Sequence, residues 1–285
     1  VATHFPGATL SVSEALTGGV SAEVNRLNLV MPDGTNRSVV LREHGATHDG
    51  NELAVEFATL QALHSAGLAV PEPLACDGSR RLLEHPWLLM SFVEGSADIP
   101  GHDVDNRVDA MADHMIGLHE TSFSSLPPLP MTVDPLPNLL EWMGDGSEWQ
   151  ALRESLQGFG PAAYTGDPVL LHGDFWPGNI IWSDSGTICA VLDWEDASLG
   201  DPLFDVACTG LELRYIYGKD GMERFCSAYA EHHPIDTARL ALWQAYAGIW
   251  SINNMGNWRL EPEREDKMRS EAVNTIREAS HTIAR

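Results

Sequence analysis

Apolar positions along the chain recur with two different periods, and the elements they predict change character along it. Apolar residues alternate over 20–30, with Val20, Ala22 and Val24 on one face, which predicts a strand. Pro32-Asp33-Gly34 is a turn signal and Ser38-Val39-Val40-Leu41-Arg42 reads as the returning strand, so the two predict a hairpin. Ahead of it, residues 16–21 carry Gly18-Gly19 and read as a glycine-bearing turn between strands. Leu53, Phe57, Leu60 and Leu63 then stand at helical spacing and predict an amphipathic helix over 51–66, ended by Gly67. Val70-Pro71-Glu72-Pro73 leads into a further strand, and Trp87-Leu88-Leu89-Met90-Ser91-Phe92-Val93 is a buried one.

Helical spacing dominates afterwards. Val108, Met111, Met115 and Leu118 form the apolar line of a helix over 106–120, with Asp103 or Asp105 able to cap it. His119 at its end reads as structural. Residues 124–137 hold five prolines and predict a long surface connection, after which 139–156 return to helix. The short apolar runs Val169-Leu170-Leu171 and Ile180-Ile181-Trp182 read as strands, because Gly173, Pro177 and Gly178 bound them tightly. A third, Ala190-Val191-Leu192, ends in Asp193. Asp201 precedes Pro202 as an N-cap precedes a proline at the first helical position, and the remainder is helical. Trp243, Ala247 and Trp250 form one apolar line there, and a charged helix over 263–283 closes the chain.

Length and composition bound this picture. With 285 residues the chain is long enough for two lobes, and 44% hydrophobic with 20% charged residues is ordinary for a globular protein. No apolar run reaches the roughly 18 residues of a membrane span. The opening Val1-Ala2-Thr3-His4-Phe5-Pro6-Gly7 is neither basic nor apolar, so no signal peptide is expected. Cys76, Cys189, Cys208 and Cys226 are widely spaced, which predicts free thiols, a reducing compartment and a cytoplasmic protein. A net charge of −24 disfavours nucleic acid or an anionic membrane as partner. It leans towards cationic substrates, although a solvated acidic surface explains it equally well.

The chemistry concentrates in the bend of Val169-Leu170-Leu171-His172-Gly173-Asp174-Phe175-Trp176-Pro177-Gly178-Asn179-Ile180-Ile181. Two acids and an amide on neighbouring turns, Asp174, Asn179 and Asp193, suit Mg²⁺, which takes few hard oxygen ligands and keeps water or phosphate oxygens for the rest. His-x-Asp, four residues, Asn and a later Asp is also the spacing of a kinase catalytic loop. Strand, His172-Gly173-Asp174, Pro177-Gly178-Asn179, hairpin and Asp193-Trp194 follow in that order, and the chain resembles the aminoglycoside phosphotransferase and choline kinase-like family.

The resemblance implies an α+β, two-lobed protein-kinase-like fold. Its N-terminal antiparallel sheet plus one helix would form a nucleotide-binding lobe over 1–93, and a larger, mostly helical catalytic and substrate-binding lobe would cover 94–285. It implies a small-molecule kinase using ATP, or GTP, with Mg²⁺, and a small hydroxyl compound as acceptor. Asp174 would be the catalytic base, with His172 fixing the loop, and Asn179 and Asp193 would hold metal. Backbone N–H groups at Gly18, Gly19 and Ser21 would lie over the phosphates. No lysine precedes Lys219, so Arg42 would take the phosphate-binding position and pair with Glu56. Ser91 and Val93 would read the adenine edge through their backbone, and Asp201 and Asp205 would brace the catalytic loop.

Two positions depart from related patterns. Trp176 stands where protein kinases carry a phosphate-contacting lysine, and Glu195 where their Asp-Phe-Gly has glycine. A catalytically inactive nucleotide-binding protein, or a metal-dependent hydrolase using His172, Asp174 and Asp193, are the other readings. Asp196, Glu212, Glu261 and Glu263 are acids able to meet a cationic acceptor. Acceptor identity and oligomeric state are left open.

Overall fold

The computed structural model describes residues 3–16, 22–45, 50–99, 101–160 and 162–285. Gly18, Gly19 and Ser21 lie outside the described residues. In chain order the elements begin with strands β1 (Thr9–Leu16), β2 (Ala22–Val30) and β3 (Asn36–His44), helix α1 (Leu53–Ser65), and strands β4 (Pro73–Asp77) and β5 (Trp87–Ser91). Helix α2 (Val104–Glu120), strand β6 (Met131–Thr132), helices α3 (Leu136–Met143) and α4 (Gln150–Leu156), and strand β7 (Val169–Leu171) follow. Strands β8 (Ile180–Trp182), β9 (Ile188–Val191) and β10 (Ser198–Gly200) then precede helices α5 (Pro202–Tyr217), α6 (Lys219–Ala230), α7 (Thr237–Asn254) and α8 (Pro262–Ile283). They group into two compact units. One holds Val1–Ala97, Ser122–Leu129 and Ile180–Ala197, and the other Asp98–Thr121, Pro130–Asn179 and Ser198–Arg285.

The first unit is an antiparallel sheet of order β1-β2-β3-β5-β4 with one helix. Period-two alternation decides what each face carries. Val39 and Leu41 of β3 join Phe5, Leu29, Ala75, Trp87 and Leu89 in a core on one face. Arg42 and His44 therefore leave on the other face, where both meet Glu56 of α1. The β8–β9 hairpin belongs to this unit although it comes far later in the chain. Ser96 and Trp182 exchange backbone hydrogen bonds of 2.9 and 2.8 Å, and the Val191 N–H donates to the Ala69 carbonyl at 2.7 Å. Backbone pairing thus draws 180–197 into a unit that a single boundary at 93/94 would exclude.

The second unit is helical around a small sheet of order β6-β10-β7. Leu139, Met143, Leu152, Leu242, Ile249 and Ile276 bury one core between α3, α4, α7 and α8. The helix expected over 139–156 is in fact two. Gly144 (φ 52°) ends α3, a 3₁₀ turn over Ser147–Trp149 intervenes, and Arg153 of α4 holds the break by donating to the carbonyls of Gly144 and Gly146. Asp103 does stand at the N-cap of α2, but its carboxylate accepts from the Asn106 amide rather than from a backbone N–H. Asp105 does not cap either; it pairs with Arg224. Trp243 and Ala247 are buried, whereas Trp250, expected in the same line, is 42% exposed and rests against Trp258. All four cysteines are free. Among the described residues no helix is long and apolar enough to cross a membrane.

Gly200 shows how tightly the small sheet is drawn together. A Cβ there would come 1.9 Å from the carbonyl oxygen of Thr132, a backbone atom that cannot swing aside. Gly200→Ala is expected to cost about 3 kcal/mol and lower the melting temperature by roughly 6–12 °C. Gly117 lies inside α2 with nothing within 4 Å of an added Cβ, so Gly117→Ala should instead stabilise by about 1 kcal/mol. Thermal melting checks both, and equal shifts in the two variants would contradict the packing account.

Candidate active site

Within the second unit, β7 delivers the chain into His172-Gly173-Asp174, and Gly173 takes the turn at φ 89°, a conformation that a side chain would resist. The bend is fastened from below by Asp205 in the first turn of α5. Its Oδ2 accepts from the His172 N–H at 2.8 Å and its Oδ1 from the Gly173 N–H at 3.0 Å. His119 of α2 reaches the same carboxylate through Nε2 at 3.3 Å, while its Nδ1 meets the Tyr229 hydroxyl at 2.9 Å. Burial alone would raise the Asp205 pKa; the hydrogen bond and charge of His119 and the two backbone donors outweigh it and hold the carboxyl below its usual range. Asp201 caps α5 by accepting from the Leu203 N–H at 3.0 Å, and its Oδ2 accepts from Trp243 Nε1 at 2.8 Å and is ion-paired with Arg239, whose Nε lies 2.8 Å away. Thr209 of α5 donates to the Phe175 carbonyl at 2.8 Å.

The side chains singled out from the sequence sit on this frame. Asn179 Nδ2 donates to both the backbone carbonyl and Oδ2 of Asp174, each at 2.9 Å, which fixes the carboxylate against its own loop. Both N–H donors of that amide are thereby spent, and its carbonyl oxygen is what it has to offer a cation. His172 is fully buried, and its Nδ1 accepts from the Asp174 N–H at 3.2 Å. That nitrogen therefore carries no proton, and the ring acts as a brace. The Trp176 indole lies over Gly178, where a Cβ would come 2.2 Å from the ring.

Two further side chains neighbour the loop: His114, which the sequence reading missed, and Glu212, which it named only as an acid able to meet a cationic acceptor. His114 stacks on Phe175 at 5.6 Å between centroids and 19° between planes. Burial first, and His172 second, push its pKa down to about 4. Its signal was its place in α2, three residues after Met111, on the apolar line. Glu212, half-buried on α5, is pushed up to about 8 by burial and by the charge of Asp174, with Arg264 opposing.

In the first unit, Arg42 of β3 gathers three carboxylates. Nη1 donates to Glu56 Oε1 at 2.6 Å, Nη2 to Asp193 Oδ1 at 2.8 Å, and Nη2 also to Glu195 Oε2. Arg42 is 8% exposed. Burial works against its charge, but Glu56, Asp193 and Glu195 more than restore it and raise the pKa above the ordinary guanidinium value. Glu56 also faces His44, with Oε2 3.2 Å from Nε2. Asp193 has a left-handed backbone (φ 64°), uncommon outside glycine and a mark of functional turns. The Glu195 contact was not foreseen: nothing local shows that an acid two residues past Asp193 returns to a strand about 150 residues earlier.

The Ser91 N–H donates to the Glu72 carbonyl at 2.9 Å and its Oγ accepts from the Glu72 N–H at 2.9 Å, so its backbone donor is already used within the first unit. A backbone contact at Ser91 is left with the carbonyl. Taken each within its own unit, the Asn179 carbonyl oxygen and the Asp193 carboxylate are hard oxygen donors, the chemical kind that Mg²⁺ takes.

His114 yields a pH dependence. Its folded pKa lies below the unfolded value near 6.5, so the unfolded chain takes up a proton that the folded one refuses as pH falls from 6.5 through 4. Stability should drop by up to about 3 kcal/mol across that window on this account. His114→Phe keeps the stack on Phe175 and should flatten that part of the melting-temperature profile. An unchanged slope would contradict it.

The chain matches the model of the phosphotransferase enzyme family over residues 14–243. A structure from Ralstonia eutropha JMP134 assigned to the aminoglycoside phosphotransferases superposes with a TM-score of 0.70 at 17% identity, covering 99% of this chain and 95% of that one. A choline/ethanolamine kinase family protein from Mesorhizobium loti gives 0.65 at 15% identity, covering 96% and 92%. A thermostable APH(4)-Ia variant in complex with AMP-PNP and hygromycin B gives 0.65 at 19% identity, covering 94% of each chain. Mouse acyl-CoA dehydrogenase family member 10 is 28% identical over 170 residues; the match takes in 53% of this chain and 16% of that protein's length. The solved structures share the protein-kinase-like fold, and the chain belongs to the phosphotransferase enzyme family.

Proposed function

We propose that the chain transfers the γ-phosphoryl group of ATP, with GTP as the other candidate donor, to a hydroxyl of a small cationic acceptor of the aminoglycoside kind. The observation that carries this reading is the Asp174 carboxylate held by the Asn179 amide on a loop fastened to buried Asp205. Such a carboxylate is placed to receive a proton. In the reaction the acceptor oxygen attacks the γ-phosphorus, the bond to the bridging oxygen breaks, the nucleoside diphosphate leaves, and the hydroxyl proton passes to Asp174. Asn179 and Asp193 would hold Mg²⁺, which neutralises phosphate charge when bound. Arg42, kept in place by Glu56, would contact phosphate, as would the backbone at Gly18, Gly19 and Ser21. Val93, with the Ser91 carbonyl, would face the adenine. Residues 1–93 would form the nucleotide-binding lobe and 94–285 the catalytic and acceptor-binding lobe, with Asp201 and Asp205 as support.

Three features support a cationic acceptor. The net charge is −24, Glu212 is close enough to Asp174 for the two to repel, and related structures hold hygromycin B and spectinomycin. An ammonium group beside Glu212 would favour its ionised form. Free thiols fit a cytoplasmic setting, and the acidic surface does not suit nucleic acid or an anionic membrane.

Asp174→Asn should lower turnover by about 10²–10⁴-fold while leaving MgATP binding largely intact. Unchanged turnover, measured as nucleoside diphosphate release, would remove Asp174 from its role. Asp193→Ala should weaken nucleotide binding about tenfold with Mg²⁺ present and not weaken it in EDTA. Equal weakening under both conditions, by calorimetry, would show that Asp193 does not act through metal.

A further inference from the structure

We propose that Glu195 is a resident competitor for phosphate on Arg42, and that it makes the site reject nucleotide lacking a bound divalent cation. This rests on the reading of Arg42 as a phosphate contact given above. A guanidinium carries two N–H bonds on each terminal nitrogen. Those of Nη2 are taken by Asp193 Oδ1 and Glu195 Oε2, so a phosphate approaching that edge must replace one of them.

The three carboxylates differ in their freedom to give way. Glu56 is 1% exposed and is held from both sides by Arg42 and His44. Asp193 is short and stands on a strained left-handed backbone that sets its direction. Glu195 has the longer side chain, with one more rotatable bond than Asp193; its freedom lies in that reach and not in exposure, since its side chain is 15% exposed against 33% for Asp193. Its backbone, in contrast, is clamped. The Asn51 N–H donates to the Glu195 carbonyl at 2.6 Å, Asn51 Nδ2 donates to the Ala197 carbonyl at 2.8 Å, and a Cβ on Gly50 would come 2.8 Å from the Glu195 Cβ. The carboxylate can leave Arg42 while its main chain stays in place.

Charge gives the exchange its selectivity. One guanidinium already faces three carboxylates, so added phosphate oxygens meet net negative charge unless Glu195 withdraws or a cation arrives with them. Free ATP brings its full negative charge into that setting; the Mg²⁺ complex brings much less. At the protein-kinase position of Glu195 stands glycine, with no side chain to exert this effect.

The test is calorimetric binding of ATP in EDTA and of MgATP to the wild type, Glu195→Gln, Glu195→Ala, Arg42→Gln and the Glu195→Gln/Arg42→Gln double variant, each first checked by thermal melting. Both Glu195 variants should bind metal-free ATP about tenfold tighter than wild type and MgATP within about threefold of it. The gain should vanish when Arg42 is also replaced. A side chain that only supported the fold would lose affinity when altered, not gain it. Metal-free binding that is unchanged or weaker in the Glu195 variants, with MgATP binding intact in the wild type, overturns the inference alone. A gain that persists in the double variant also overturns it, since competition at Arg42 would then not be the cause. Wild-type protein that binds no MgATP overturns the phosphate reading and this inference with it.

Discussion

Arg42 carries a permanent charge into a place where it is 8% exposed, and the first unit is arranged around that fact. An isolated buried charge is prohibitively costly, so the strand must bring its acceptors to it. They come from two stretches of chain: Glu56 from α1, and Asp193 and Glu195 from the segment after β9. The same ion pairs that make the charge tolerable therefore tie the sheet to its helix and to a hairpin contributed by later sequence. Their net stabilisation is small, because the desolvation of four charged groups offsets most of the attraction, but loss of one partner from such a cluster costs about 3–5 kcal/mol. The cluster acts chiefly as a positional constraint on Arg42, Glu56 and Asp193.

The second unit solves a comparable problem with a buried carboxylate. Asp205 has 1% exposure and remains ionised because two backbone N–H groups and His119 point at it. The result is a loop whose main chain is bonded to α5 at His172 and Gly173, whose next carbonyl but one is bonded to Thr209, and whose Asp174 is held by Asn179. Preorganisation of this kind lets a carboxylate meet a hydroxyl without reorganising at the moment of reaction. His172, His114 and Phe175 pack behind the loop as rings.

Much of this was legible in the chain. The tight punctuation of Gly173, Pro177 and Gly178 located both flanking strands, and Asp201 before Pro202 located the start of α5. Alternation in β3 put Arg42 on the face opposite Val39. What escaped notice depends on contacts distant in sequence or on side-chain geometry. Pairing of 180–197 with Ala69 and Ser96 moves that hairpin into the first unit, and no local pattern encodes it. The return of Glu195 to Arg42 is of the same kind. The break after Met143 came from Gly144 and Gly146, weak signals inside an otherwise helical apolar pattern. Trp250 kept the period of its helix but faces the edge, where solvent and Trp258 meet it. The pairing of the Ser91 N–H with Glu72 likewise leaves no mark in composition.

The most direct test of the account is to melt the purified protein with MgATP, MgGTP and EDTA, and then to score a panel of small hydroxyl compounds, cationic and neutral, for nucleoside diphosphate release. A ligand that binds the folded state alone raises the melting temperature by mass action. A rise with MgATP, together with acceptor-dependent ADP release matched by a phosphorylated cationic alcohol, is the predicted result. No shift with either nucleotide and no release with any acceptor would contradict the assignment of Arg42, Asp174 and Asp193 to phosphoryl transfer.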